Sequence, residues 1–124
     1  MQLGLINTLT IDRFTPPGAF LEDEQGNEVL LPQKYLLDSY EVGQKVDVFV
    51  FKDSMQRIVC TTEEPFILLG SFKYLRVTQV QPIGAFVDWG LDKNLLIPFS
   101  EQLYRLDEEE YYLFVLRYDV QTDR

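Results

Sequence analysis

The sequence predicts an all-β chain made of two copies of one small barrel, and two observations carry this prediction. Apolar residues alternate with a period of two rather than 3.6, and most of them are β-branched or aromatic, which is typical of strands. Two stretches also align without a gap at an offset of 66 residues, PPGAFLEDEQGNEVLLP and PIGAFVDWGLDKNLLIP. The same offset carries Asp53 onto Asp119, so two copies of one domain are expected.

Turn residues divide the first copy into five predicted strands, at residues 5–14, 18–22, 29–31, 44–52 and 57–62. Pro16, Pro17 and Gly18 interrupt the first pair, and Gly26 lies in the turn that closes the second. Residues 53–56 form the last turn. The segment QKYLLDSY, between the third and fourth strands, predicts a single helical turn.

Five strands with a long connection after the third, in about sixty residues, predict the five-stranded OB barrel, which binds oligonucleotides on one face. We therefore predict two tandem OB domains, residues 1–64 and 65–124. The second is expected to lack its last strand, because the sequence ends at residues 121–124, soon after the fourth strand. On this expectation the chain is a fragment of a longer protein.

The alternation in the second strand predicts which side chains face solvent. If Ala19 and Leu21 point into the barrel, Phe20 and Glu22 point outward, and the same parity places Phe86 outside the second copy. A base stacked on an aromatic ring contributes about 1 to 3 kcal/mol. We predict that Phe20 and Phe86 contact a ligand or partner, the alternative being that each packs beneath a loop.

Four cations are predicted nearest to this face, where they would contact phosphates without reading base sequence: Lys34, Arg57, Lys93 and Arg105. The alternative for each is an ordinary surface residue, and for Arg57 an ion pair with Asp53, four residues earlier. Trp89 either extends the stacking surface beside Phe86 or anchors a turn or an inter-domain contact.

The charge of the chain argues against strong binding of polyanions. Eleven Lys and Arg stand against twenty Asp and Glu, a net charge of −9, so no bulk positive field attracts nucleic acid or an anionic membrane. Any nucleic-acid binding is expected to be weak and sensitive to salt. No apolar run approaches the roughly 20 residues of a membrane span, so a cytoplasmic protein without membrane contact is expected.

Several catalytic and metal-binding designs are excluded by residue type. The chain contains no His, which removes Ser-His and Cys-His catalysis and most zinc sites. Its single cysteine, Cys60, lies in a predicted strand and is expected to be a buried thiol. The acidic clusters at residues 22–24 and 107–110 are expected in solvated loops rather than in a metal cage. We therefore predict no enzyme, no cofactor and no metal.

The repeated motif resembles the RNA-binding repeat named after ribosomal protein S1. The second strand of that repeat commonly reads GAFV, as residues 84–87 do here, and Asp53 with Arg57 flanks the last hairpin in the same way. The pair of copies resembles the conserved virulence factor B (YitL-like) family of bacterial proteins. This resemblance implies a regulatory protein that binds RNA through tandem repeats, usually with a further repeat and a winged-helix domain. It also favours single-stranded RNA over DNA.

The alternative function is a protein-interaction module of a longer, multidomain protein, which the acidity of the chain favours. In that interpretation exposed apolar patches bind a protein partner or a further domain of the same chain. The patches would consist of Phe20, Phe49, Phe51, Phe86 and Trp89. Binding of labelled oligoribonucleotides at two salt concentrations distinguishes the two functions.

Overall fold

The computed structural model describes residues 1–117, which divide into two compact units, Met1–Glu63 and Glu64–Arg117. Within this range the regular structure consists of nine strands and two single-turn 3₁₀ helices. Neither of these short helices has the length or apolar character that crossing a membrane requires.

The first unit is a closed five-stranded barrel. Its strands are β1 (Leu5–Thr15), β2 (Gly18–Glu22), β3 (Glu28–Pro32), β4 (Lys45–Lys52) and β5 (Ile58–Thr61), in the order β1-β2-β3-β5-β4. The β3–β5 pairing is parallel and the others are antiparallel. A 3₁₀ helix, Gln33–Tyr35, follows β3. The predicted barrel and its helical turn are confirmed, and every predicted strand boundary lies within one residue of the observed one.

The interior of this barrel is filled by the alternating apolar residues of its strands. Ala19 and Leu21 of β2 are fully buried, whereas Phe20 and Glu22 are partly exposed, so the predicted parity of β2 is confirmed. The core consists of Leu9, Ile11, Ala19, Leu21, Val29, Leu31, Val46, Val48, Val50 and Cys60. Cys60 is a buried thiol, as predicted; its Sγ lies 3.4 Å from the Leu30 carbonyl oxygen, and burial raises its pKa to about 12.

The second unit contains a four-stranded antiparallel sheet. Its strands are β6 (Phe72–Gln81), β7 (Gly84–Asp88), β8 (Leu95–Pro98) and β9 (Tyr111–Val115), in the order β8-β7-β6-β9, with a 3₁₀ helix at Phe99–Glu101. Among the described strands β8 and β9 are the edges, so the second barrel is not closed by them. The prediction that the second unit lacks its fifth strand concerns residues 121–124, which lie outside the described part of the chain.

The strand register repeats between the units. In the first unit Arg13 pairs with Phe20, and a β-bulge interrupts the register between Ile11 and Arg13. At an offset of 66 residues Gln79 pairs with Phe86, with the same bulge between Val77 and Gln79. Because a bulge is a specific local feature, its recurrence strengthens the evidence for a repeat.

Each repeated hairpin requires glycine at the start of its second strand. Gly18 and Gly84 have φ values of 155° and 147°. A Cβ atom at Gly18 would lie 2.1 Å from the Leu31 carbonyl oxygen, and one at Gly84 would lie 2.4 Å from the Ile97 carbonyl oxygen. The close approach of two strand backbones therefore excludes a side chain at both positions.

Candidate nucleic-acid interface

A row of outward-facing residues crosses the first barrel at Phe20. Phe20 of β2 pairs with Arg13 of β1 and with Leu30 of β3, and Leu30 pairs with Val59 of β5. The burial pattern of β2 places Phe20 on the outer side with its ring partly exposed. This row is the part of the barrel surface on which the predicted stacking residue lies.

The guanidinium group of Arg13 covers the Phe20 ring. Its Cζ atom lies 4.3 Å from the ring centroid, a cation–π geometry. Arg13 Nη1 is also 2.7 Å from Asp12 Oδ2 and 2.9 Å from Glu28 Oε2. These hydrogen bonds raise the pKa of Arg13 above its ordinary value, so the group stays charged. Arg13 is thus held over the ring by two carboxylates.

An acidic group surrounds this contact. Carboxylate oxygens of Asp12, Glu22 and Glu28 lie within 4.8 Å of one another. Arg13 already binds two of the three, and all are at least partly exposed. Partly exposed carboxylates paired with an arginine are an ordinary surface network, and the surface beside Phe20 remains negatively charged.

The corresponding surface of the second unit carries fewer charged side chains. Phe86 of β7, also partly exposed, pairs with Gln79 of β6 and with Leu96 of β8. Thr78 Oγ1 donates a 3.2 Å hydrogen bond to the Phe86 carbonyl oxygen, and Asn94 Nδ2 donates one of 2.8 Å to Thr78 Oγ1. In the repeat alignment Thr78, Gln79 and Asn94 replace three of the charged residues around Phe20, and Asp88 keeps the negative charge of the fourth, Glu22.

Trp89 anchors the loop after β7 rather than offering its ring to solvent. The side chain is buried, with 5% exposure, and its Nε1 donates a 2.8 Å hydrogen bond to the Lys93 carbonyl oxygen. Of the two predicted roles, the structure favours the turn anchor, because a buried indole cannot stack on a base. The same bond fixes the backbone of Lys93, which is exposed in the β7–β8 loop.

The other predicted cations lie in loops and short helices. Arg57 Nε is 2.9 Å from Asp53 Oδ2 across the β4–β5 turn, so the predicted ion pair is confirmed. Lys34 lies in the 3₁₀ helix after β3, with Nζ 5.1 Å from the centroid of the Tyr35 ring. Arg105 precedes β9 and is highly exposed, its Nε 3.6 Å from Asp107 Oδ1. Among these cations, Arg57 is the one whose charge is most clearly paired with a neighbouring carboxylate.

The apolar patch predicted for a protein partner is wrong in two of its members. Phe49 has no exposed surface and stacks on Phe51 with the ring centroids 5.5 Å apart, and Trp89 is buried as well. The exposed apolar face of the second unit instead lies on β6 and β9, where residues pair across the strands. It consists of Phe72, Tyr74, Tyr111, Leu113 and Val115, each more than 40% exposed.

Sequence reasoning missed both this face and Arg13, although the sequence contains a signal for each. Counting back from the Pro16–Pro17 turn places Arg13 opposite Phe20 in a hairpin. The β6–β9 face is visible in the repeat alignment, where Thr8 and Asp47 of the first copy correspond to Tyr74 and Leu113 of the second. The fold does not require apolar residues at these two positions, because the first barrel has polar residues there.

Comparison with known proteins agrees with the barrel and with the repeat motif. A family model described as an S1 domain matches residues 3–63, which span the first unit. The protein YitL of Bacillus subtilis is 33% identical over 98 residues, covering 78% of this chain and 33% of YitL. Conserved virulence factor B of Staphylococcus epidermidis is 28% identical, covering 94% of this chain and 41% of that protein. The chain carries an S1 domain and is related to conserved virulence factor B.

The predicted resemblance to the conserved virulence factor B family is therefore confirmed. The homologue in Staphylococcus saprophyticus is 29% identical over 83 residues, covering 65% of this chain and 28% of that protein. This chain spans between about a quarter and two fifths of the length of these relatives.

A solved structure from Streptococcus pneumoniae has the same fold. It is described as a multidomain protein with nucleic acid binding domains, and it aligns with a TM-score of 0.76 at 24% identity. The alignment covers 98% of this chain and 44% of that one. The S1-domain match and this structural neighbour agree with a fold of the OB type.

Proposed function

We propose that this chain is a non-enzymatic module that binds single-stranded RNA weakly, through outward-facing phenylalanines of its repeat. The observation that carries the proposal is the recurrence of one aromatic at one register position, Phe20 in β2 and Phe86 in β7, each on the outer side of its sheet. An aromatic ring on a sheet surface stacks with bases of any sequence. The S1 domain match and the nucleic-acid-binding description of the structural neighbour support the ligand class.

The proposal extends to the second unit, residues 65–124, as another S1-type OB domain, of which the structure describes four strands within residues 65–117. Its support is the repeated register, the repeated bulge and the repeated glycine. The choice of RNA over DNA rests on the family relationship, since a 2′-hydroxyl contact leaves no trace in the sequence. Lys93 and Arg105, both exposed, are the proposed phosphate contacts of this unit.

The experiment compares the parent with Phe20→Ala/Phe86→Ala, using a fluorescein-labelled oligouridylate of about ten nucleotides, which suits one or two OB folds. We expect the double variant to bind at least about tenfold more weakly, since each lost stacking contact costs about 1 to 3 kcal/mol. Measurement at two salt concentrations should show weaker binding at the higher one. An oligodeoxyuridylate competitor tests the preference for RNA.

Tyr74→Ala is the matched control, because it removes an exposed aromatic of the same unit from the opposite region of the sheet. It should bind like the parent. If the folded double variant bound oligouridylate as tightly as the parent, the stacking role would be wrong. Loss of binding in Tyr74→Ala alone would move the interface to the β6–β9 face.

The exposed β6–β9 face favours a second candidate function, binding of another protein. Phe72, Tyr74 and Tyr111 are each more than 60% exposed there. Contiguous exposed apolar residues mark interaction sites more often than isolated ones do. Size-exclusion chromatography of the parent and of Phe72→Ser/Tyr111→Ser tests this candidate. Self-association or partner binding by the parent that the two substitutions abolish supports it. A parent that elutes as a monomer and binds no partner argues against it.

A further inference from the structure

The two phenylalanines of the repeat lie in different environments. Around Phe20 a cation–π contact and two ion pairs hold Arg13 against the ring, and a third carboxylate, Glu22, adjoins them. Around Phe86 the positions of Asp12, Arg13 and Glu28 are held by the neutral Thr78, Gln79 and Asn94, and only Glu22 keeps an acidic counterpart, Asp88. Within residues 1–117, no guanidinium or ammonium group makes a cation–π contact with the Phe86 ring.

The hairpin that follows each phenylalanine adds to this difference. Residues 22–28 of the first unit contain four carboxylates and no cation, whereas residues 88–94 of the second contain two carboxylates and Lys93. Phosphates are repelled by the first surface and less so by the second, since the dominant attraction of nucleic acid is for cations. Lys93 is also held in place at its backbone by the Trp89 indole.

We infer that only the second unit binds RNA through its repeated phenylalanine, and that Arg13 closes the same surface in the first unit. This inference rests on the proposed function and specifies where it takes place. A base that stacked on Phe20 would have to displace Arg13 from the ring and from Asp12 and Glu28, which leaves carboxylates unpaired beside the incoming phosphates. A base that stacks on Phe86 meets the amide of Gln79 and the apolar side chain of Leu96.

The internal repeat supplies a reciprocal exchange as the test. One variant of the 124-residue chain carries Asp12→Thr, Arg13→Gln and Glu28→Asn, which gives the first unit the residues of the second. The other carries Thr78→Asp, Gln79→Arg and Asn94→Glu. Phe20→Ala and Phe86→Ala are measured separately, all with the labelled oligouridylate, and circular dichroism checks that each variant is folded.

We expect Phe86→Ala and the second exchange to weaken binding about tenfold, and Phe20→Ala to change it by less than about twofold. The first exchange should raise the stoichiometry from one site toward two. Equal losses in Phe20→Ala and Phe86→Ala, or unchanged binding in the second exchange, would overturn the inference while leaving the proposed function in place. A folded parent without any binding would overturn both.

Discussion

At the residue scale, Phe20 and Phe86 show which properties of a side chain are readable from sequence. Their outward direction follows from strand parity, because successive residues of a strand face opposite sides. Their neighbours do not follow from parity alone. Arg13 reaches Phe20 through cross-strand pairing, and the bulge at Asp12 brings an extra carboxylate to the same surface. The outward direction of Phe20 could therefore be predicted, whereas the arginine that covers its ring was missed.

Asp53 illustrates a pH effect on a single residue. Its Oδ1 accepts hydrogen bonds of 2.9 Å from the backbone N–H groups of Met55 and Arg57, and its Oδ2 accepts one from Arg57 Nε. Burial opposes ionisation of this carboxyl, but the two backbone hydrogen bonds and the guanidinium outweigh it and lower the pKa of Asp53. The ionised form is therefore favoured in the folded protein.

A lowered pKa stabilises the fold above the pKa of the unfolded chain, about 3.9 for Asp, and this stabilisation is lost as pH falls through the folded value. Asp53→Asn should therefore lower the melting temperature at pH 7, with the difference from the parent shrinking toward pH 3. Thermal unfolding across this range measures it, with the exposed Glu41→Gln as control. A difference that stayed constant with pH would show that the carboxylate charge is not involved.

At the element scale, the strands of the first unit were predicted closely because each has an alternating pattern and each turn has Gly, Pro, Asn or Asp. The closure of the second unit stays a prediction. A closing strand would pair with both β8 and β9, and the described residues 65–117 contain no such strand. The role of Trp89 depends likewise on how its loop folds back to offer the Lys93 carbonyl.

The backbones of β2 and β3 approach closely at Gly18, so we predict that a side chain there destabilises the hairpin. Gly18→Ala should destabilise the protein by about 2 kcal/mol or more, because the new Cβ meets a carbonyl oxygen in a strained backbone conformation. Gly26→Ala is the matched control, since Gly26 also has positive φ but a Cβ atom there would meet no other atom within 4 Å. Chemical denaturation measures both, and equal losses would show that φ alone, rather than the close approach, demands glycine.

At the scale of the whole molecule, the internal repeat predicts two related units, and the net charge limits which ligands the chain can bind. A net charge of −9 makes the chain a poor general ligand for polyanions, so binding must depend on a local surface. The repeat shows which surface differs between the copies, because three positions that are charged around Phe20 are neutral around Phe86. The strands and the repeat could be read from the sequence, whereas the proposed functional difference between the units rests on the contacts of Arg13.

The most direct test of the central claim maps the RNA on the protein. Oligouridylate is titrated into ¹⁵N-labelled protein, and the amide chemical-shift changes are followed by NMR. The account predicts changes that concentrate around Phe86, Gln79 and Leu96, with little change around Phe20. Changes confined to the β6–β9 face, or the absence of any change at millimolar RNA, would contradict it.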